Sequence, residues 1–148
     1  MTLVLVHHAD ALAPGVDSKR PLSARGREEA QWLAGEAKAR GVRPAAIWHS
    51  GKLRARETAY AFLQACAPFA TFTMVRGLAP GDPPEITCNL LNAEDQDLLA
   101  VGHMPNIAAV LERLSSASAA FPLHGAVALE RGDDGKYVEV WRVAPAGY

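Results

Sequence analysis

Apolar positions along the chain follow two spacings in turn. Residues 3–6, Leu-Val-Leu-Val, form a short aliphatic run that predicts a buried strand. A polar loop covers residues 9–22, and Ser23 stands where a helix N-cap is expected. Beyond it Ala30, Leu33, Ala34 and Ala37 keep the i, i+3, i+4, i+7 spacing of one helical face, and Gly41 supplies the stop. Residues 45–48 read as a second strand, 53–65 as a helix and 71–75 as a third strand. Residues 78–84 are a loop rich in Pro and Gly, and 85–91 fit a short helix. Residues 98–101 are another buried strand, closed by Gly102-His103. Pro105 suits the first turn of a helix whose face is marked by Ile107, Val110, Leu111 and Leu114. At the end, residues 126–130 and 137–143 flank Gly132-Asp133-Asp134-Gly135, the pattern of an antiparallel hairpin at a sheet edge.

The predicted order is βαβαβαβαββ. It implies a three-layer α/β/α domain with a mostly parallel sheet and an antiparallel C-terminal edge hairpin, built as one domain over residues 1–148. Such sheets bind ligands at the carboxyl ends of their strands. Here the first strand ends at His7-His8, the second at His49-Ser50 and the fourth at His103. Three separate segments thus carry polar, titratable groups to one edge.

Composition narrows the function. Hydrophobic residues at 49% and charged residues at 21% are ordinary for a folded domain, and a net charge of −1 with interspersed signs lacks the basic footprint of a nucleic-acid binder. No stretch approaches the roughly 20 apolar residues of a membrane helix. The first six residues have no basic leader pattern, so a cytoplasmic location is expected. Cys66 and Cys88 lack metal-type spacing and read as reduced, buried thiols.

Each histidine segment has a chemistry of its own. A neutral imidazole such as His8 is a competent nucleophile toward phosphorus; equally, a histidine at a strand end can be structural. The segment from Ser50 to Thr58 crosses a strand-to-helix junction. Helix N-terminal N–H groups favour an anion there, and Arg54 in the first turn adds a bidentate guanidinium. His103 follows Gly102, which permits close backbone approach, and an imidazole at that place is able to hold a phosphoryl oxygen.

Taken together, these segments resemble the histidine phosphatase superfamily, with its phosphoglycerate mutase-like fold. The family's opening Arg-His-Gly is matched by His7-His8-Ala9, its Ser-x-x-x-Arg-Ala-x-x-Thr by Ser50, Arg54, Ala55 and Thr58, and its Gly/Ser-His pair by Gly102-His103. The run from Asp17 to Ser23 with Gly26, and His103-Met104-Pro105, are similar to the SixA-like phosphohistidine phosphatases, as is a short chain without the insertions of the mutases. The resemblance implies His8 as phosphate acceptor, and phosphoryl binding by Arg54 and His103, with Ser50 beside them. It implies no metal and no organic cofactor. The implied partners are a phosphorylated protein or a small phosphorylated substrate, and inorganic phosphate.

His7 stands where the family has arginine. A guanidinium is a permanently charged donor fork, whereas an imidazole is shorter and charged only below a pKa of about 6.5. On this reading His7 must be protonated to act, and activity should improve at mildly acidic pH. Arg20 is a candidate to compensate, with Asp17 either orienting it or capping a turn. Ala9 adds a methyl group where backbone approaches phosphate. Asp82, Glu85 and Asp10 are weak candidates for a general acid; His49 and His124 receive no assignment. Two other functions stay open: a non-catalytic phosphate or phosphoprotein binder on the same fold, and a small-molecule phosphomonoesterase. A metal-dependent hydrolase is disfavoured, because neighbouring strand residues such as His7 and His8 point to opposite faces.

Overall fold

The computed structural model describes residues 1–116 and 119–145. Along the chain these form β1 (Thr2–His7), α1 (Ala24–Ala39), β2 (Ala46–His49), α2 (Leu53–Cys66), β3 (Thr71–Met74), α3 (Pro84–Asn92), β4 (Leu98–Gly102), α4 (Asn106–Ser115), β5 (Ala126–Arg131) and β6 (Tyr137–Val143). The order is the one the hydrophobic pattern predicts. The strands lie side by side as β3-β2-β4-β1-β5-β6. β1 to β4 run parallel; β5 is antiparallel to β1 and to β6, so the terminal hairpin extends one edge.

Strand alternation sorts the apolar side chains into two layers. Val4, Val6, Leu99 and Val101 face Leu33, Ala34, Ala55, Ala59 and Phe62 of α1 and α2. Leu3, Leu5, Leu98 and Ala100 face Cys88, Leu91, Ile107, Val110 and Leu111 of α3 and α4. β1 and β4 are therefore buried on both sides, which is why their sequences are unbroken aliphatic runs. Both cysteines are free and buried. Among the described residues no helix is long and apolar enough to cross a membrane.

Helix ends follow local chemistry. Ser23 Oγ accepts the Gly26 N–H at 2.9 Å, the expected N-cap of α1. Gly41, with φ of 78°, lets the chain turn left-handed after α1, and the Val42 N–H returns to the Ala37 carbonyl at 3.0 Å.

The loop between β1 and α1 is pinned from below by three buried or half-buried acceptors. Glu29 takes the Asp10 N–H at 2.9 Å, Glu57 takes that of Leu22 at 2.8 Å, and Thr58 takes that of Ala9 at 3.0 Å. Gly26 passes so close beneath this loop that a Cβ would sit 1.9 Å from the Asp10 carbonyl oxygen. Its place in the motif is thus a packing requirement. In register, His7 lies opposite Gly102, and His49 opposite Val101. The carboxyl ends of β1, β2 and β4 therefore finish level with one another.

Candidate active site

His7 is the last residue of β1, and His8 follows it just past the strand. The His8 N–H still bonds the Gly102 carbonyl at 3.2 Å, holding the turn against β4. Its ring lies with Nδ1 2.8 Å from the Ala9 carbonyl oxygen. Only an N–H can pair with a carbonyl, so Nδ1 carries the hydrogen and Nε2 keeps its lone pair. Burial, set partly against that bond and reinforced by the charges of Arg54, His124 and Arg20, lowers the His8 pKa to about 4. The imidazole is therefore neutral near pH 7.

Arg54 occupies the first turn of α2, half-buried, and its Nε is a buried donor with no partner. No carboxylate pairs with it among the described residues. Burial, then the charge of Arg20, pulls its pKa down from the usual guanidinium value. α2 itself starts at Lys52 without a side-chain cap. The motif threonine, Thr58, is fully buried; it donates to the Arg54 carbonyl at 2.8 Å while accepting from Ala9, so it ties the His8 turn to this helix.

His103 follows β4 and is 1% exposed. Its Nε2 shares a hydrogen with Ser50 Oγ at 2.6 Å, and Nδ1 is a buried atom without a partner. Burial first, then the neighbouring His8, Arg54, Lys52 and His7, lowers its pKa to about 3. The His8 and His103 rings lie 4.9 Å apart between centroids. His8, Arg54, His103 and Ser50 are thus brought together as the motifs imply. Arg20 lies near enough for its charge to bear on both His8 and Arg54, while its Nε donates to the Leu12 carbonyl at 3.0 Å. Asp17 caps the turn: its carboxylate accepts from the Lys19 N–H and its carbonyl from that of Arg20.

Several expectations change. His7 is held in the structure as a neutral ring. The backbone N–H of His124 donates to His7 Nδ1 at 2.8 Å, so the hydrogen of the neutral ring sits on Nε2, and a second proton has to break that bond. Burial, with the charges of His8, His124 and Arg54, lowers the His7 pKa to about 3. His7 is a neutral, single N–H donor. The Ala9 methyl is buried in a small cluster with Leu22 and Ala30. Gly102 is not crowded, since an added Cβ would meet only ordinary contacts at 3.5 Å and beyond. Asp82 binds the Ala79 N–H through its carboxylate, and Glu85 pairs with Arg113 at 3.5 Å, so both acids are engaged in local structure. Asp10 accepts from Ser23 Oγ at 2.6 Å.

Sequence reasoning missed His124. It precedes β5 with φ of 52°, and its ring stacks on His7 at 4.9 Å with an interplanar angle of 6°. His124 Nδ1 lies 2.8 Å from the His8 carbonyl oxygen, to which its hydrogen is donated. His7 and His8 do not point to opposite faces, because β1 ends at His7: their rings are 4.6 Å apart, and nitrogens of His7, His8 and His124 all fall within 4.8 Å of one another. As a metal site the trio is compromised, since the His7 Nδ1 lone pair already accepts a backbone N–H, and the charge of Arg54 acts on both His7 and His8. His49, by contrast, accepts the Gly51 N–H at 3.1 Å and packs on Phe72, a structural role.

Neutral imidazoles around an unpaired guanidinium, at the carboxyl edge of an α/β sheet, define a site of the phosphoryl-transfer class. Residues 6–79, half of the chain, match the histidine phosphatase superfamily (branch 1), and the chain belongs to that superfamily. Histidine-phosphatase-type function follows from that membership. The fold is similar to the protein histidine phosphatase SixA complexed with tungstate (TM-score 0.87, 21% identity, 98% of this chain and 97% of the other). It is also similar to the putative phosphohistidine phosphatase SixA from Agrobacterium tumefaciens (TM-score 0.82, 27% identity, 98% of each chain). A phosphoglycerate mutase from Plasmodium falciparum shares the fold at TM-score 0.69 and 19% identity, over 95% of this chain and 88% of the other. No curated protein matches the chain significantly by sequence.

Proposed function

We propose that this protein is a phosphohistidine phosphatase that works, without a metal, through a covalent phosphohistidine on His8. One observation carries the reading: His8, its Nε2 lone pair freed by the Nδ1–H bond to Ala9, sits beside Arg54, a guanidinium with a buried Nε and no partner. A buried donor left unmatched is costly, and an incoming phosphoryl oxygen offsets that cost.

The reaction runs in two displacements. His8 Nε2 attacks phosphorus; the new N–P bond forms as the bond to the substrate imidazole breaks, and the released imidazole takes a proton from solvent water. Water then attacks the phosphohistidine, giving inorganic phosphate and returning His8 to its starting tautomer. Arg54, His103 and the His7 Nε2–H hold the phosphoryl oxygens, with Ser50 fixing the His103 ring and Arg20 adding positive field. A phosphorylated imidazole is a good leaving group, so no strong carboxylic acid is required. End-to-end similarity to SixA structures, over 98% of each chain in one case, supports a phosphorylated protein side chain as substrate.

The test is phosphate release from a phosphohistidine-bearing protein and, separately, from an aryl phosphate, with chelator present. Release is expected from the first substrate at the higher rate, and His8→Ala should lower it by about a thousandfold or more. A labelled phosphoprotein, stable in base and labile in acid, should be trapped in the wild type alone. Absence of release with intact phosphate binding would instead mark a binding module.

A further inference from the structure

We propose that His124 is a phosphate-binding residue of this site, and that the stacked His7 and His124 rings together hold the phosphoryl group as a donor and acceptor pair where the family has one guanidinium. The inference rests on the phosphatase reading above.

His7 offers one hydrogen only, on Nε2, because its other nitrogen accepts from the His124 backbone. A phosphoryl group presents several oxygens, so this side of the pocket is short of one partner. His124 supplies it. Its Nδ1–H is committed to the carbonyl of His8 itself, which leaves Nε2 as the only free nitrogen of the ring. That ring is parallel to His7 and half-buried, and its centroid lies 6.1 Å from that of His8. His7 Nε2 carries a hydrogen and His124 Nε2 carries a lone pair, so the two parallel rings present one donor and one acceptor side by side.

The groups around His124 suit this task. His7 and His8 come from the end of β1, and both are neutral. From the loop after β1, Asp10 places Oδ1 4.0 Å from His124 Nε2. The charges of Arg54 of α2 and of Arg20 also act on His8. A phosphoryl oxygen that carries a proton donates to the His124 Nε2 lone pair, while a second oxygen accepts from His7 Nε2–H.

Four proteins test the proposal: wild type, His124→Gly, His7→Arg and the double variant. Glycine removes the ring, yet it retains the backbone N–H to His7 and adopts φ of 52° without strain. An unchanged melting midpoint would verify folding. Calorimetric titration with inorganic phosphate and tungstate should show His124→Gly weakening binding by about ten- to a hundredfold in the wild-type background. In the His7→Arg background the loss should shrink to about threefold or less, because the restored fork makes the second imidazole redundant. Spectra of isotope-labelled histidine separate contact from mere support of His7: the Nε2 resonance of His124 should move when phosphate is added. Equal losses in both backgrounds, or a silent Nε2, would overturn the proposal while leaving the phosphatase reading intact. Failure of all four proteins to bind phosphate would overturn both.

Discussion

At the scale of single residues, tautomers decide what each imidazole does. Three histidines lie within a few ångströms of one another, and backbone groups give them different roles. The Ala9 carbonyl makes His8 a lone-pair donor at Nε2, the His124 N–H makes His7 a hydrogen donor at Nε2, and the His8 carbonyl leaves His124 its Nε2. The pKa of His8, lowered to about 4 chiefly by burial, has a direct consequence. Protonation removes the nucleophile, so the acid limb of kcat/KM for the free enzyme should lie near pH 4. An unperturbed histidine would place it near about 6.5. Rates measured down to pH 4, with the folded state checked at each point, decide between the two; a limb near 6.5 would contradict this account of His8.

At the scale of elements, the site depends on how the loop after β1 is strapped to α1 and α2. The Gly26 backbone lies against the Asp10 carbonyl, with a Cβ position only 1.9 Å from its oxygen. Gly26→Ala must therefore push the loop, which also carries Asp10 and begins beside His8. Overpacking of this kind costs about 1–3 kcal/mol, and here the obstacle is backbone, which yields little. Urea denaturation should show that loss, and the KM for an aryl phosphate should rise with it. A variant as stable as the parent would mean that the strap is looser than its geometry indicates. The sequence presented Gly26 only as part of a motif. Its reason is a contact with a residue sixteen positions earlier, which no local pattern shows.

Over the whole molecule, burying neutral histidines links folding to pH. In the folded chain His7, His8 and His103 take up protons only near pH 3, 4 and 3. In the unfolded chain they do so near about 6.5. Between these values the unfolded state binds more protons. Stability is then complete above about pH 6.5 and falls as pH drops toward 4, by about 1.4 kcal/mol per pH unit for each ring. Urea midpoints at pH 7 and pH 5 should differ accordingly, and replacing His7 with arginine should reduce the difference. Equal midpoints would show that these rings are not buried neutral.

The order of elements, the double burial of β1 and β4, and the meeting of His8, Arg54 and His103 at one sheet edge were legible in the amino-acid sequence. Those features follow from hydrophobic period and from strand polarity, which are local properties of the chain. The sequence left His124 without a role and kept His7 apart from His8. Those depended on where β1 stops, on which backbone groups face each ring, and on the segment before β5 returning beside β1. Tautomer and charge are set by partners distant in sequence, 116 and 117 residues away for His124, and only the folded chain brings them within hydrogen-bonding distance.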